Sequence, residues 1–297
     1  MSAKSNKVRI TVAAVLCLLV VVATVLCVHS DRLSAFAGLR NNKPTDDYVE
    51  FYDVGQADSC LIYSNGYVAV IDTGTDGSSA ELTKKILKSG IRKIDALILT
   101  HRHSDHIGGA EYLISHLDVK NVIVPDLNDS SDEAEVCEEL DLAISKEKIN
   151  EYEPVTGTVI KIGNFELTVL QYFEDAAEEN DRSLIIMAEN GDKKFLFTGD
   201  ASIAAENKLI DDNIDFDCDV LKVAHHGSSK SSTVDFLNIA TPEYSVISVG
   251  ATNTYGHPSE SALKRLENED SIIYRTDRDG DVIFTVKNGN IYADTHK

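Results

Sequence analysis

Cations are scarce in this 297-residue chain: 28 Lys plus Arg stand against 49 Asp plus Glu, for a formal charge of -21. A protein that gripped nucleic acid mainly by neutralising phosphates would carry the opposite sign. Any polyanionic substrate must therefore be met by a local cation, such as a bound metal, and not by the surface field. Cysteine is scarce too. Beyond residue 30 there are only Cys60, Cys137 and Cys218, singly spaced and with no C-x-x-C pair. Their apolar neighbours mark them as ordinary buried thiols rather than a disulfide scaffold. The chain also lacks internal repeats and low-complexity blocks. What remains, 43% apolar and 26% charged residues, suits a globular protein with a sizeable core and sets aside a disordered tail, a collagen-like fibre or a coiled-coil rod.

One stretch lacks charge altogether. Ile10–Val28 is strongly apolar, follows Lys4, Lys7 and Arg9, and ends before Asp31 and Arg32. As a helix it would span about 28 Å, close to the roughly 30 Å hydrocarbon layer. The run is longer than the apolar region of most signal peptides, which favours an uncleaved anchor with its basic end in the cytoplasm and the rest outside. The alternative is secretion after cleavage near Ala37, since Ala35-Phe36-Ala37 resembles a cleavage site. Residues 1–30 are thus expected to form a cytoplasmic tip and transmembrane signal anchor. Residues 31–46, polar and broken by Pro44, form a linker, and 47–297 a single domain. Without the three N-terminal cations the exported part carries about -24 instead of -21.

Within that domain, strand-like runs open the chain at Tyr48–Val54, Ser59–Tyr63 and Tyr67–Ile71. Helical spacing appears at Ser79–Lys88, closed by Gly90, and a buried strand at Asp95–Leu99 leads to a helix at Gly108–His116. A strand at Asn121–Val124 precedes an acidic helix near Ser131–Lys146, and strand signals return at Thr158–Ile162, Phe165–Leu170, Ser183–Ala188 and Lys194–Phe197. Strands and helices alternate through Val220–Tyr274, and Gly280–Val286 and Asn290–Ala293 close the chain as strands. Strands dominating both halves with helices interspersed predict an α/β (α+β) fold of two sheets covered outside by helices.

The chemistry concentrates in Thr100-His101-Arg102-His103-Ser104-Asp105-His106-Ile107-Gly108-Gly109, directly after the buried strand. Three of the nine histidines and one carboxylate fall within six residues. Imidazole and carboxylate are the ligands that Zn²⁺, Mn²⁺ and Fe accept. His101 and His103 can point to one side of an extended turn while Asp105 and His106 face a neighbouring position, and Gly108 and Gly109 allow a tight turn into the next helix. A surface loop that merely happens to be histidine-rich would not place four ligand-type residues at this spacing.

The pattern His-x-His-x-Asp-His-x-Gly-Gly resembles the signature of the metallo-β-lactamase superfamily, and the chain more closely resembles the exported hydrolase-like domain of ComEC-type competence proteins. Five further segments agree in order: Phe51–Ser59, Ile71-Asp72-Thr73-Gly74, Leu196–Asp200, Leu221–Ser228 and Tyr255-Gly256-His257-Pro258. The resemblance implies an αββα sandwich with its metal site at one edge of two sheets. It also implies two divalent metals, Zn²⁺ or Mn²⁺. His101 and His103 would hold one, Asp105 and His106 the other, with Asp200 bridging both and His225 completing the second. His226 is the less favoured of the pair and, with Asp72, would stand behind the ligands and orient them. One departure is plain: many family members carry another histidine before the bridging aspartate, whereas none lies between His116 and His225 here, where Asn180-Asp181-Arg182-Ser183 stands instead. The first metal is then expected to be weakly held, completed by water or absent at low metal, with only one site well occupied.

Asp105, Asp200 and His257 are the candidate catalytic residues, His257 as a contact to a substrate phosphate or a proton donor to the leaving group. Ser228, Lys230 and Asn253 are candidate substrate contacts, the polar Gly227–Ser232 stretch offering hydroxyls, N–H groups and one cation to an anion. The function implied is metal-dependent hydrolysis outside the cell, with DNA or another extracellular phosphodiester as substrate. The alternatives are a teichoic-acid or phosphocholine esterase, a lactonase or a β-lactamase, and, from another class, a non-catalytic exported binding module.

Overall fold

The computed structural model describes residues 45–126 and 133–297. The proposed anchor at Ile10–Val28, the cleavage site near Ala37 and the 31–44 part of the linker lie outside the described residues. No helix among the described residues is long and apolar enough to cross a membrane.

The first half runs β1 (Asp47–Phe51), β2 (Ser59–Ser64), β3 (Tyr67–Thr73), α1 (Asp76–Lys88), β4 (Lys93–Ile94), β5 (Ala96–Ile98), α2 (Ser104–Ile107), α3 (Ala110–His116), β6 (Asp118–Val119), β7 (Asn121–Ile123), α4 (Ala134–Glu147) and β8 (Asn150–Tyr152). The second continues β9 (Val159–Ile162), β10 (Phe165–Gln171), β11 (Ile185–Asn190), β12 (Lys193–Phe197), α5 (Ile203–Asp211), β13 (Val220–Lys222), α6 (Val234–Ala240), β14 (Tyr244–Ile247), α7 (Glu260–Asn268), β15 (Ile272–Arg275), α8 (Thr276–Asp279), β16 (Asp281–Lys287) and β17 (Asn290–His296). Short 3₁₀ turns stand at Glu179–Arg182 and Ala224–Gly227.

Two sheets carry the fold. One has eight strands in the order β17-β16-β1-β2-β3-β5-β7-β8, the other seven in the order β15-β14-β13-β12-β11-β10-β9. Period-two side-chain alternation makes each sheet two-faced. On β2, Cys60 and Ile62 join the core between the sheets, whereas Leu61 and Tyr63 join the layer under the helices. Phe51, Phe197, Phe195 and Phe284 interlock in the inner layer, with ring centroids 5.8 to 6.3 Å apart. Leu82 and Ile86 of α1, Leu113 of α3 and Leu140 of α4 cover the outside of the first sheet. Leu209 of α5, Phe236 and Leu237 of α6 and Leu266 of α7 cover the outside of the second. The result is helix, sheet, sheet, helix.

The sequence-level boundaries need small revisions. The helix expected at Gly108–His116 is α3, starting at Ala110, with a separate short helix, α2, ahead of it at Ser104–Ile107, and α1 begins at Asp76, three residues ahead of the expected start. α5 went unanticipated; Ser202 caps it by accepting from the Ala204 N–H. Gly108 and Gly109 form the expected turn, which links α2 to α3, but the turn is not what requires glycine. Both have ordinary helical dihedrals, so no tight turn requires them. A Cβ on Gly109 would lie 2.3 Å from the Thr73 carbonyl, and one on Gly108 2.3 Å from Ser104 O and 2.9 Å from Asp76 N. Close backbone approach between α2–α3 and the end of β3 is what excludes a side chain there.

Strands β3, β5 and β7 run parallel, as do β12 to β15. Their carboxyl ends therefore open on one edge of each sheet, where open α/β sheets place their ligands.

Candidate metal centre

The candidate ligands and Asp72 sit at or beyond those strand ends. Asp72 closes β3 with a left-handed φ of 59°, uncommon for a residue other than glycine. The strained turn aims its carboxylate across the sheet. Oδ1 accepts from the Thr100 N–H and Oδ2 from the Thr100 hydroxyl, both at 2.8 Å, and Oδ2 also lies 2.8 Å from His106 Nδ1. His106 is fully buried. Its Nδ1 is thereby occupied and its Nε2 is turned toward Asp200 Oδ1 at 3.3 Å and Asp105 Oδ1 at 3.9 Å.

His101 and His103 converge as their alternation predicts, with Nε2 of one 3.0 Å from Nδ1 of the other. Of three groups of potential ligand atoms among the described residues, two open on the cavity, Asp105, His106, Asp200 and His226 in one and His101, His103 and Asp200 in the other, while Asp58, Asp72 and His106 form the third behind them. Asp200 belongs to both cavity groups. It follows β12 through Gly199, whose φ is +48° and where a Cβ would crowd Ser183 and Thr100 at 3.0 to 3.1 Å. Its own N–H is held by the Ser183 hydroxyl at 3.0 Å.

Of the adjacent histidines after β13, His226 and not His225 falls in a group of potential ligand atoms. Both are left-handed, at φ 50° and 52°, so the backbone coils sharply and throws the rings in different directions. His226 is the buried one: Nε2 is 3.1 Å from Asp105 Oδ2 and 3.9 Å from Asp200 Oδ2, and Nδ1 faces Ser248 O at 2.9 Å. His225 stays nearer the cavity rim, its Nε2 3.8 Å from Asp200 Oδ2. Strand register could not show this, because the two positions differ only through dihedrals in the turn.

Two residues behind His226 had no role in the sequence reading, although both stand inside quoted segments. Asp58 Oδ1 is 3.3 Å from His226 Nδ1, and Asp58 Oδ2 is 2.5 Å from the Lys222 ammonium, with both side chains buried. The Asp58 N–H also donates to Asp105 O at 3.1 Å, pinning the histidine-rich loop from behind. From the other side, Arg102 grips Glu179 through Nε at 3.0 Å and a terminal nitrogen at 2.6 Å. That brace holds the Glu179–Arg182 turn against the site and places Asn180 Nδ2 3.4 Å from His225 Nδ1. Asn180 thus occupies the stretch where the further histidine is missing.

A cavity of about 460 Å³ opens over the cluster, lined among others by His103, Asp105, Asn180, Asp200, His225, His226, Tyr255 and His257. Ser228, Lys230 and Asn253 are not in its lining. Nor is the serine-rich loop a flexible polar one. Ser231 donates to Ala201 O at 2.8 Å, the Ser232 and Thr233 N–H groups bond to the buried Glu206 carboxylate, and Arg265 holds the Ser231 and Ser232 carbonyls at 2.6 Å. The loop's polar groups are spent on α5 and α7, and Lys230 is exposed. Asn253 spends its amide on its own loop, accepting from the His257 N–H at 3.0 Å and donating to Gly250 O and His257 O at 2.8 Å.

The electrostatics call for a cation. Asp58, Asp72, Asp105 and Asp200 crowd together with Lys222 as their one ammonium partner. Burial works against charge on every one of them. For His106 that burial is outweighed by Asp200, Asp72 and Asp105, which hold its pKa well above the usual imidazole value. His226 is likewise pushed up to about 10 by Asp200 and Asp58. Burial opposes the Asp200 carboxylate as well, but His106 and His226 hold it well below the usual range. A divalent metal bound among these carboxylates would supply positive charge in place of imidazole protons. His106 Nε2 and Asp200 Oδ1 are both buried without a hydrogen-bond partner, as ligand atoms awaiting an ion would be. The donor set fits divalent metals.

The family model described as "Metallo-beta-lactamase superfamily" matches residues 52–251. The chain belongs to this superfamily. Among curated proteins it is similar to ComE operon protein 3 of Bacillus subtilis, 31% identical over 81% of this chain and 33% of that protein. It is also similar to the competence protein ComA of Neisseria gonorrhoeae, 26% identical over 82% of this chain and 33% of that one. The chain therefore spans about a third of the length of these relatives. Among solved structures, the metallo-β-lactamase fold protein YhfI of Bacillus subtilis matches with a TM-score of 0.54 at 15% identity, covering 84% of this chain and all of that one. That likeness shows the fold.

Proposed function

We propose that this superfamily member is a two-metal phosphodiesterase, anchored by Ile10–Val28 with residues 47–297 outside the membrane, and that its substrate is DNA. The observation that carries the reading is the pair of ligand groups sharing Asp200 on the floor of a cavity in whose lining the described residues include no lysine or arginine. Bound there, Zn²⁺ or Mn²⁺ would supply an activated water and positive charge against the phosphate oxygens. His101, His103, Asp105, His106, Asp200 and His226 would hold the ions, with His225 beside them. Asp72 and Asp58 fix the orientation of His106 and His226, so those ligands need not reorganise during the reaction. His257 lies over His225, and burial together with His225 holds its pKa below the usual value. A neutral imidazole suits it to donate a hydrogen bond to a substrate oxygen better than to deliver a proton to the leaving group. DNA as the substrate rests on the similarity to competence proteins.

The test is elemental analysis of the full chain together with turnover of bis-p-nitrophenyl phosphate, a lactone and a β-lactam. About one to two metals per chain and diester hydrolysis are expected. Asp200→Asn, which removes the ligand common to both groups, should lower turnover by on the order of 10³-fold while circular dichroism is unchanged. A metal-loaded enzyme that opens the lactone or lactam and leaves the diester intact overturns the substrate class.

A further inference from the structure

An aromatic shelf stands at the cavity mouth. Tyr255 is 73% exposed, yet it lines the same cavity as Asp105 and Asp200. Its ring lies nearly parallel to His257, at 14° with centroids 5.9 Å apart, and His257 meets His225 edge-on at 5.6 Å. The three rings climb from the ligand cluster to solvent. The three Asn253 hydrogen bonds fasten the loop that presents Tyr255 and His257, so little conformational freedom is left to lose when a ligand arrives.

The charges beside the shelf are of the wrong sign for a backbone-tracking groove. Among the described residues, Asp105, Glu133 and Asp200 line the cavity and no lysine or arginine does, so parts of an anionic substrate beyond the reacting phosphate find no cation there. What they find is a ring face. A purine or pyrimidine can stack there whatever its sequence, whereas a base inside a duplex is already stacked on its neighbours and must leave the helix to reach it. We infer that Tyr255, braced by His257, is the stacking platform for the base adjoining the scissile phosphodiester, and that the enzyme prefers nucleic acid strands with unpaired bases. This rests on the phosphodiesterase reading and adds to it the part of the substrate that is recognised.

Two measurements on the full chain separate the inference from the reading beneath it. The first compares kcat/KM for thymidine 5′-p-nitrophenyl phosphate and methyl p-nitrophenyl phosphate. Tyr255→Ala should lower the preference for the base-bearing diester by about tenfold, and Tyr255→Phe should retain it. The second uses no turnover: a single-stranded oligonucleotide containing 2-aminopurine should lose fluorescence on binding, and Tyr255→Ala should abolish that quench at unchanged circular dichroism. If the wild type cleaves neither diester but quenches through Tyr255, the hydrolase reading fails and the platform stands. An unchanged substrate preference in Tyr255→Ala, or equal quenching by the two proteins, overturns the platform. So does equal binding of the oligonucleotide and its duplex.

Discussion

The two halves of the ligand cluster share Asp200 but are supported very differently. In the inner half every imidazole is backed. Asp72 holds His106, Ser248 O and Asp58 hold His226, and Lys222 holds Asp58. In the outer half, His101 Nδ1 meets only the Thr100 hydroxyl at 3.1 Å, His103 is part-exposed, and Asn180 stands where another histidine is missing. A ligand held by a buried carboxylate is fixed in ring orientation and made more basic, whereas one held by a hydroxyl gains less of either. The difference teaches that the centre is graded: one rigid, strongly basic half and one adaptable half that faces the cavity. On the two-metal proposal, this grading predicts one well-held metal and one weakly held.

The comparison breaks most severely at its deepest support. Lys222→Met leaves Asp58 buried with no ammonium partner, which should cost about 3–5 kcal/mol of stability, read from the urea midpoint. Adding Asp58→Asn to Lys222→Met removes the stranded charge and should restore much of that stability. A single Lys222→Met protein as stable as the wild type would show that the pair is not a structural strut.

Asp58→Asn alone sharpens the contrast. The amide still fills the space but attracts the His226 N–H less, so one step of a metal titration should weaken by about 10- to 100-fold. The other step, belonging to His101 and His103, should stay in place in calorimetry. Equal weakening of both steps would mean that the halves are one coupled site and that the grading is wrong.

Much of this was legible in the sequence, unevenly and for physical reasons. The layers were, because alternation such as Cys60, Ile62 against Leu61, Tyr63 writes two faces into each strand. So was the convergence of His101 with His103 and of Asp105 with His106, since both pairs are local. The choice between His225 and His226 was not, because it depends on two consecutive left-handed dihedrals that no spacing encodes. Asp58 and Lys222 were equally hidden: 164 positions separate them, and their meaning appears only when β13 brings the lysine beneath the loop after β1. Gly108 and Gly109 do make the turn between α2 and α3, but the reason they must be glycine was hidden, since close approach is a property of the neighbouring backbone segment.

The smallest expected effect concerns a residue that the sequence made attractive. Lys230 is a lone cation beside His225 and His226, and an exposed cation near an anion site ordinarily lowers KM through attraction that salt screens. The fold removes it from that role. Its loop is tied back by Glu206 and Arg265, its carbonyl accepts from the Ile203 N–H at 3.1 Å, and the residue does not line the cavity. Substrate attraction then falls to the metals and to the Tyr255 shelf. Lys230→Ala should change KM for a diester less than twofold at low salt, with no difference in its ionic-strength dependence from the wild type. A several-fold rise in KM that disappears at high salt would show that the serine-rich loop reaches the substrate after all, and the two-part account of binding would have to give way to a third contact.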